Sequence, residues 1–415
     1  MKAEIKMHVA FISRAVFGLH SYGGMERHVL ELARHLARAQ TRVTIVTMPP
    51  TRDAQWHEPG IDLKIARVAR LPVRGVPDRV LNYPRWSQAA ARIVAALPVD
   101  LVHAQGVGGF GYAQLLAKRT AHAPLVINPQ GMEEFKTTPA KRVAYAPLHA
   151  AARYAAQYAH ALIAADTLTV NDIPRFLRVA PERVVLIPNG IDVDAARNWV
   201  SIDVQRGLIQ RLQLSQRQPL LLSVGRLEQN KGFGVMLDAL ARIRSFLPSK
   251  WLWLLVGEGP ERATLQAQIR KYQFRDHVRL LGNVDEITLH NLYELATLFV
   301  HPTLFEGSSL VTLEAMCHAR PLVGTQVGGI PDKIVRGQNG YLVPPGDAQA
   351  LADKILLALR DQNKLRAMGA VSYQIARERF DWRVVIHQTL DLYRAVLPAA
   401  APLPQWADAP LDSPL

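Results

Sequence analysis

A single cysteine, Cys317, stands in the whole chain, so no internal disulfide can form. A reducing compartment suits such a chain, and the thiol is expected to be buried and structural. Long apolar runs are also missing. The nearest candidate for a membrane span, residues 143–165, is alanine-rich and interrupted by Pro147, His149, Arg153 and His160, which favours helix in water. No signal-peptide pattern opens the chain: Glu4 falls among the first residues, which lead straight into the strand-like segment 8–12. A cytoplasmic location is therefore expected. Aromatic residues make up only 7% and are not interleaved with the basic ones, which argues against a single-strand nucleic-acid binder. No convincing cluster of metal-ligating residues is visible. Asp192-Val-Asp194 follows Pro188-Asn189-Gly190, a setting that suits a turn and helix cap.

What the chain does have is length, apolar content and positive charge. Its 415 residues exceed the usual span of one core, and 49% hydrophobic content is ample for two. The net charge of +14 is uneven: residues 1–190 carry 24 Lys and Arg against 13 Asp and Glu, and the remainder 25 against 22. The basic excess of the first part suits a polyanionic partner, either an anionic membrane surface or a phosphorylated acceptor, with a merely solubilising surface as the alternative.

Short β-branched runs alternate with longer amphipathic stretches. Strands are expected at 8–12, 42–47, 101–104, 125–128 and 161–164, and the rhythm restarts at 220–224, 251–256, 278–281, 298–301 and 321–324. Alternation of this kind predicts an α/β protein with parallel sheets covered by helices on both faces, and its restart predicts two such doubly wound domains. The expected boundaries are 1–195 and 196–379, with a linker between about 192 and 218. An amphipathic helix is expected over 380–397, followed by a proline-rich disordered tail, 398–415.

Ligands of open α/β sheets settle at the carboxyl ends of the strands. Arg226 and Lys231 follow the expected strand 220–224, beside a helix start whose unpaired N–H groups favour a phosphate. Glu306 and Gly307 follow 298–301, with Ser308 or Ser309 expected to cap the next helix and Glu314 one to two turns inside it. A rise of about 1.5 Å per residue puts the two carboxylates roughly 10 Å apart, too far for one acid and base pair yet suited to gripping two hydroxylated rings. Capping is the competing role for Glu306. Gly23 and Gly24 precede a helix carrying Val29, Leu30, Leu32 and Leu36, and would let a backbone approach an anion; turn chemistry explains them nearly as well. Gly106-Val-Gly108-Gly-Phe-Gly111 fits a dinucleotide fingerprint, but Asn128 stands where an acidic residue should end the next strand.

Taken together, these motifs resemble the family-4 retaining glycosyltransferases of the GT-B fold. The resemblance runs from Tyr22-Gly-Gly-Met-Glu-Arg-His28 through Asp100-Leu-Val-His103, Pro188-Asn-Gly-Ile-Asp192, Gly257-Glu-Gly-Pro260, Gly282-Asn-Val and Gly328-Gly-Ile-Pro331 to Asn339-Gly-Tyr-Leu-Val-Pro-Pro. It implies two Rossmann-like domains facing across a cleft, with the acceptor on the first domain and the nucleotide sugar mainly on the second. By the same resemblance Arg226 and Lys231 neutralise the diphosphate, which Gly23 and Gly24 approach from the other domain. Glu306, Gly307, Ser308, Ser309 and Leu310 hold the transferred hexose, Glu314 the ribose, and the segment Gly282 to Val284 the base. No metal and no cofactor would be needed, and the anomeric configuration would be retained. The helix over 380–397 would cross back onto the first domain.

One departure bears on chemistry. Members commonly carry a histidine that touches the transferred sugar where this chain has Gln130, and often a second histidine where it has Gln105. Glutamine can hydrogen-bond a hydroxyl but cannot titrate. The expected protein is a hexosyltransferase that uses a nucleoside diphosphate sugar and a glycan or lipid-linked acceptor in cell-surface polysaccharide biosynthesis, such as lipopolysaccharide, with peripheral contact to the inner membrane face. Two alternatives stand beside it: a sugar-nucleotide binding protein that has lost catalysis, and another GT-B enzyme such as a nucleotide-sugar epimerase.

Overall fold

The first seven strands are β1 (His8–Ile12), β2 (Arg42–Thr47), β3 (Ile61–Ile65), β4 (Leu101–Gln105), β5 (Leu125–Asn128), β6 (Ala161–Ala164) and β7 (Val184–Leu186). They form one parallel sheet in the order β3-β2-β1-β4-β5-β6-β7. Six more, β8 (Leu220–Val224), β9 (Leu252–Val256), β10 (Val278–Gly282), β11 (Leu298–His301), β12 (Leu322–Thr325) and β13 (Gly340–Val343), form a second parallel sheet in the order β10-β9-β8-β11-β12-β13. This architecture comes from a computed structural model that describes residues 7–20, 23–51, 56–69, 71, 78–132, 135–136 and 139–397. The expected tail, 398–415, lies outside the described residues.

Helices cover both faces of each sheet, which is why β1, β4, β8 and β9 are buried at every position and mostly apolar. The two sheets belong to separate compact units. One comprises the chain up to Gly190 together with Trp382 onward, the other Ile191–Asp381. The first unit's core combines Val9, Phe11, Val29 and Leu36 with Trp382, Ile386, Leu390 and Tyr393, so the helix Trp382–Val396 completes a core begun by the first strand. The second is built around Trp253, Phe233, Met236 and Leu240 on one face, and Leu222, Phe299, Leu313 and the buried thiol of Cys317 on the other.

Two expectations need correction. The chain enters the second unit at Ile191, and residues 192–218 are not a linker: they form the helices Val193–Asn198 and Ile202–Arg211 within that unit. Asp192 caps the first of them, its carboxylate accepting from Ala195 N at 2.8 Å. Strands β3, β7 and β13 were not expected, and each is an outermost strand of its sheet. The glycines at 106–111 form a tight turn and helix start packed on Ser87, whose hydroxyl donates to the Gly108 carbonyl and accepts from Gly111 N. Their closeness serves packing.

Candidate active site

In the second unit the strand order reverses between β8 and β11, so the loops at their carboxyl ends border the crevice where such sheets bind ligands. After β8 the chain passes Arg226 and makes a short 3-10 turn, Gln229–Lys231, before Gly232 opens the helix Phe233–Ile243. Lys231 therefore sits in the turn rather than at the helix start. Gly232 adopts φ +67°, and a Cβ there would stand 2.0 Å from the Pro302 carbonyl oxygen. That close approach lets the Asn230 carbonyl accept from Thr303 Oγ1 at 2.9 Å and from Leu304 N at 2.7 Å. The loop after β11 is thereby clamped against the loop after β8.

The clamp brings Lys231 and Glu306 together across 75 positions of sequence. Lys231 Nζ donates to Glu306 Oε2 at 2.8 Å, and His301 Nε2, from the last residue of β11, lies 3.0 Å from the same oxygen. Burial alone would raise the Glu306 carboxyl. The His301 hydrogen bond and charge, together with those of Lys231, more than offset this and hold it down at about 2. Glu306 is thus a carboxylate at any working pH and cannot serve as a proton donor. Both contacts fall on Oε2, so Oε1 remains to accept from a ligand. Arg226 is placed differently: its side chain is 77% exposed and pairs with Glu228 at 3.0 Å. The two expected phosphate cations therefore differ, Lys231 buried against Glu306 and Arg226 exposed and paired with Glu228.

Around Glu306 the backbone is fixed by the Gly328 turn. Gly328 has φ +52° and leaves no room for a Cβ beside the Glu306 carbonyl, while Gly329 N donates to the Gly307 carbonyl at 2.9 Å. Lys333 is 1% exposed beneath this loop, its Nζ donating to the Gly329 carbonyl at 3.0 Å and lying 3.4 Å from Ser308 Oγ. Ser309 occupies the N-cap position of the helix Leu310–Cys317 but makes no capping bond, contrary to expectation. Its hydroxyl instead accepts from Thr312 Oγ1 at 2.9 Å and lies 3.3 Å from His301 Nε2, leaving the N–H groups of that helix start unspent. Glu314 is buried inside the helix and accepts from Tyr293 Oη at 2.9 Å. Tyr293 is itself stacked on His318 with ring centroids 5.7 Å apart. Gly282 ends the outer strand β10 beside Glu258, with Val284 half-buried two residues on.

His301, Lys333 and Tyr293 were not singled out from sequence. The position of His301 at a strand end, five residues before Glu306, was the one available signal. Lys333 looks like a surface cation, and Tyr293 looks like any helix aromatic.

In the first unit, Gly23 stands at the N-cap of the helix Gly24–Arg38, and the Glu26 carboxylate of the first turn folds back against it: a Cβ on Gly23 would meet Glu26 Oε2 at 2.3 Å. An anion approaching Gly23 and Gly24 meets that carboxylate. Gln130 follows β5 in a left-handed conformation, φ +61°, with its N–H donating to Asn128 Oδ1 at 2.8 Å. Its Nε2 donates to Gln105 Oε1 at 2.8 Å, from the neighbouring strand end. Gln105 Nε2 in turn lies 3.4 Å from His103 Nε2, and His103 Nδ1 lies 2.6 Å from Tyr393 Oη. Burial, reinforced by His28, depresses His103 to about 3, so this imidazole is neutral. Among the described residues no three His, Cys, Asp or Glu side chains form a group able to hold a metal ion.

The family description "Glycosyltransferase Family 4" matches residues 22–195, and "Glycosyl transferases group 1" matches residues 205–374. The chain belongs to the family-4 glycosyltransferases. Among curated relatives of this glycosyltransferase is the D-inositol 3-phosphate glycosyltransferase of Xylanimonas cellulosilytica, 29% identical over 402 residues, which are 91% of this chain and 92% of the relative. Among solved structures, sucrose-phosphate synthase from Thermosynechococcus elongatus superposes with a TM-score of 0.78 at 23% identity, covering 94% of this chain and 99% of that one. HepE of Anabaena in complex with UDP-glucose gives 0.72 at 20% identity, covering 94% and 100%. The fold is GT-B, and the activity is transfer of a sugar.

Proposed function

We propose that this glycosyltransferase is a retaining, metal-independent hexosyltransferase that moves a sugar from a nucleoside diphosphate sugar to a glycan or lipid-linked acceptor at the inner membrane face. The observation that carries this reading is the Lys231–Glu306–His301 cluster at the point where the second sheet reverses its strand order. A nucleoside diphosphate donor is in keeping with the UDP-glucose bound by HepE.

In this reading the diphosphate lies by the turn Gln229–Lys231, where Lys231 and Arg226 neutralise it. The hexose hydroxyls donate to Glu306 Oε1 and meet the backbone N–H groups of Gly307, Ser308, Ser309 and Leu310. Glu314, held by Tyr293, takes the ribose, and the base rests by Gly282 and Val284. The bond between the anomeric carbon and the phosphate oxygen breaks with its electron pair passing to phosphate. The acceptor hydroxyl oxygen bonds to the same face of that carbon, and its proton passes to the departing phosphate oxygen. Fixed cations stabilise the charge that develops there. Glu306, always ionised, supports positive charge on the sugar rather than giving a proton.

The test is a thermal-shift screen of nucleotide sugars, followed by assay of nucleoside diphosphate release with and without a lipid-linked acceptor in excess chelator. Acceptor-dependent release with an α product from an α donor is expected. Lys231→Ala and Glu306→Ala should each raise the barrier by about 2.7–4 kcal/mol, as loss of one preorganised charge-stabilising group does; near-wild-type rates in both would remove the assignment. Gln130 favours a second reading, a sugar-nucleotide binding protein without turnover. Stabilisation by a donor with no release under any acceptor would support it.

A further inference from the structure

Lys333 is the one lysine or arginine that is buried among the described residues, with 1% of it exposed. An apolar side chain would fill that place without the cost of taking an ammonium out of water, so what the lysine supplies is hydrogen-bond donors on a long stem. Its backbone is held first. Lys333 N donates to the Ile330 carbonyl at 3.0 Å, and the Lys333 carbonyl accepts from Nδ2 of the fully buried Asn339 at 2.9 Å. Nζ stands 5.7 Å from the centre of the Phe380 ring, donates to the Gly329 carbonyl at 3.0 Å and lies 3.4 Å from Ser308 Oγ. An ammonium has no lone pair, so the lysine is the donor in both polar contacts.

Gly329 passes the first of them on, because its own N–H donates to the Gly307 carbonyl at 2.9 Å. Lys333 thus reaches two successive residues of the loop after β11, Gly307 through Gly329 and Ser308 directly. The carbonyl oxygens of Glu306 and Gly307 crowd the same turn, standing 2.1 and 2.5 Å from where a Cβ on Gly328 would be. The N–H groups of residues 306–310, by contrast, meet no acceptor among the described residues. We propose, on the reading that this segment meets the transferred sugar, that Lys333 is a positioning residue. Its buried ammonium holds the carbonyls of the segment to the turn below and so keeps the N–H groups presented to the sugar. Lys333 itself touches no substrate. Without it the segment loses two anchors, and the N–H groups leave the geometry that the reacting state needs. The diphosphate and the base are read by other loops, so the effect falls on sugar transfer and not on nucleotide affinity.

The first test needs no ligand. In the full chain labelled with 15N-glycine, amide exchange at Gly329 reports its bond to Gly307. Two glycines after other strands serve as controls: Gly225 N donates to the Val256 carbonyl at 3.0 Å, and Gly257 N to the Gly282 carbonyl at 2.8 Å. Lys333→Met, which keeps the stem and removes the donors, should speed exchange at Gly329 by about tenfold, the size of one hydrogen bond, and leave both controls at wild-type rates. Unchanged exchange at Gly329 overturns the positioning role. Equal acceleration at all three glycines overturns it too, since that marks a general contribution to stability. The second test compares UDP with UDP-glucose, or the corresponding pair for whichever donor supports turnover. Lys333→Met should bind UDP within about twofold of wild type while kcat falls by about a hundredfold, the cost of misplacing reacting groups by about 1 Å. Wild-type kcat, or a loss of UDP affinity as large as the loss of kcat, overturns the role. Lys333→Gln keeps a donor without the charge and should fall between the two proteins in both tests. If Lys333→Met does not fold, wild-type behaviour of Lys333→Gln is the overturning result. Absence of transfer by wild type from every donor would instead sink the hexosyltransferase reading, while exchange at Gly329 still decides the role of Lys333.

Discussion

At the scale of single residues, Glu306 carries the sharpest prediction. Its carboxyl lies at about 2 in the folded protein against an ordinary 4.5, because the hydrogen bonds and charges of His301 and Lys231 overcome burial. A depressed carboxyl stabilises the fold above its unfolded value, and that stability is lost as pH falls from about 4.5 through 2. A shift of this size corresponds to about 3 kcal/mol. Glu306→Gln should therefore unfold more easily in urea at pH 6, by an amount of that order. The difference from wild type should shrink steadily below pH 4.5 and vanish near pH 2. A difference that stays constant across this range would mean that Lys231 and His301 do not hold the carboxylate. The same geometry explains what sequence could not reveal here. Lys231 and Glu306 were legible as charged residues at two strand ends, but their direct pairing depends on the carbonyl of Asn230 and on the missing side chain of Gly232, neither of which carries a pattern.

At the scale of elements, the central strands and the edge strand β10 were legible, and the other three edge strands were not. Strands β1, β2, β5, β6, β8 and β11 fall where the apolar runs placed them, because burial on both faces leaves an unbroken hydrophobic signature. Strand β3 reads Ile-Asp-Leu-Lys-Ile with Asp62 exposed, β7 has three residues, and β13 opens on Gly340, so these edges lack that signature. Invisible too was a buried histidine pair between elements. His28, on the helix Gly24–Arg38, packs against Trp382 of the helix Trp382–Val396 with both ring nitrogens unpartnered, and burial lowers it to about 4. His103 on β4 is lowered to about 3. Because the unfolded chain takes up these protons near pH 6.5 and the folded one does not, stability is full above that pH. It should fall by about 1.4 kcal/mol per pH unit for each histidine as acid is added, until pH reaches about 4 and 3 respectively. His28→Met should be no less stable than wild type at pH 7, since it removes two unsatisfied buried nitrogens, and should lose about 2 kcal/mol less between pH 6.5 and 5. Urea titrations of both proteins at the two pH values check this; equal losses would mean that His28 is protonated in the fold.

At the scale of the whole molecule, charge is the property that the fold does not require. The sheets and their helices need apolar runs and turns, yet residues 1–190 carry 24 basic side chains against 13 acidic ones while the remainder is close to balance. Within that basic part, Val143 is 76% exposed directly after the exposed Arg142 in the helix Pro139–Ala144. An apolar side chain presented beside cations suits the boundary of an anionic bilayer, where each basic residue near the surface contributes about 1 kcal/mol. No described helix is long and apolar enough to cross a membrane, so contact of this kind would be peripheral. The full chain should then sediment with vesicles containing phosphatidylglycerol at low salt and not with phosphatidylcholine vesicles. Binding should weaken steeply as ionic strength approaches 1 M, where charges are screened beyond about 3 Å. Arg142→Glu combined with Val143→Asp should reduce vesicle binding several-fold, while release of nucleoside diphosphate to a water-soluble acceptor analogue stays unchanged. Binding that ignores salt, or that survives the double substitution intact, would assign the positive charge to solubility.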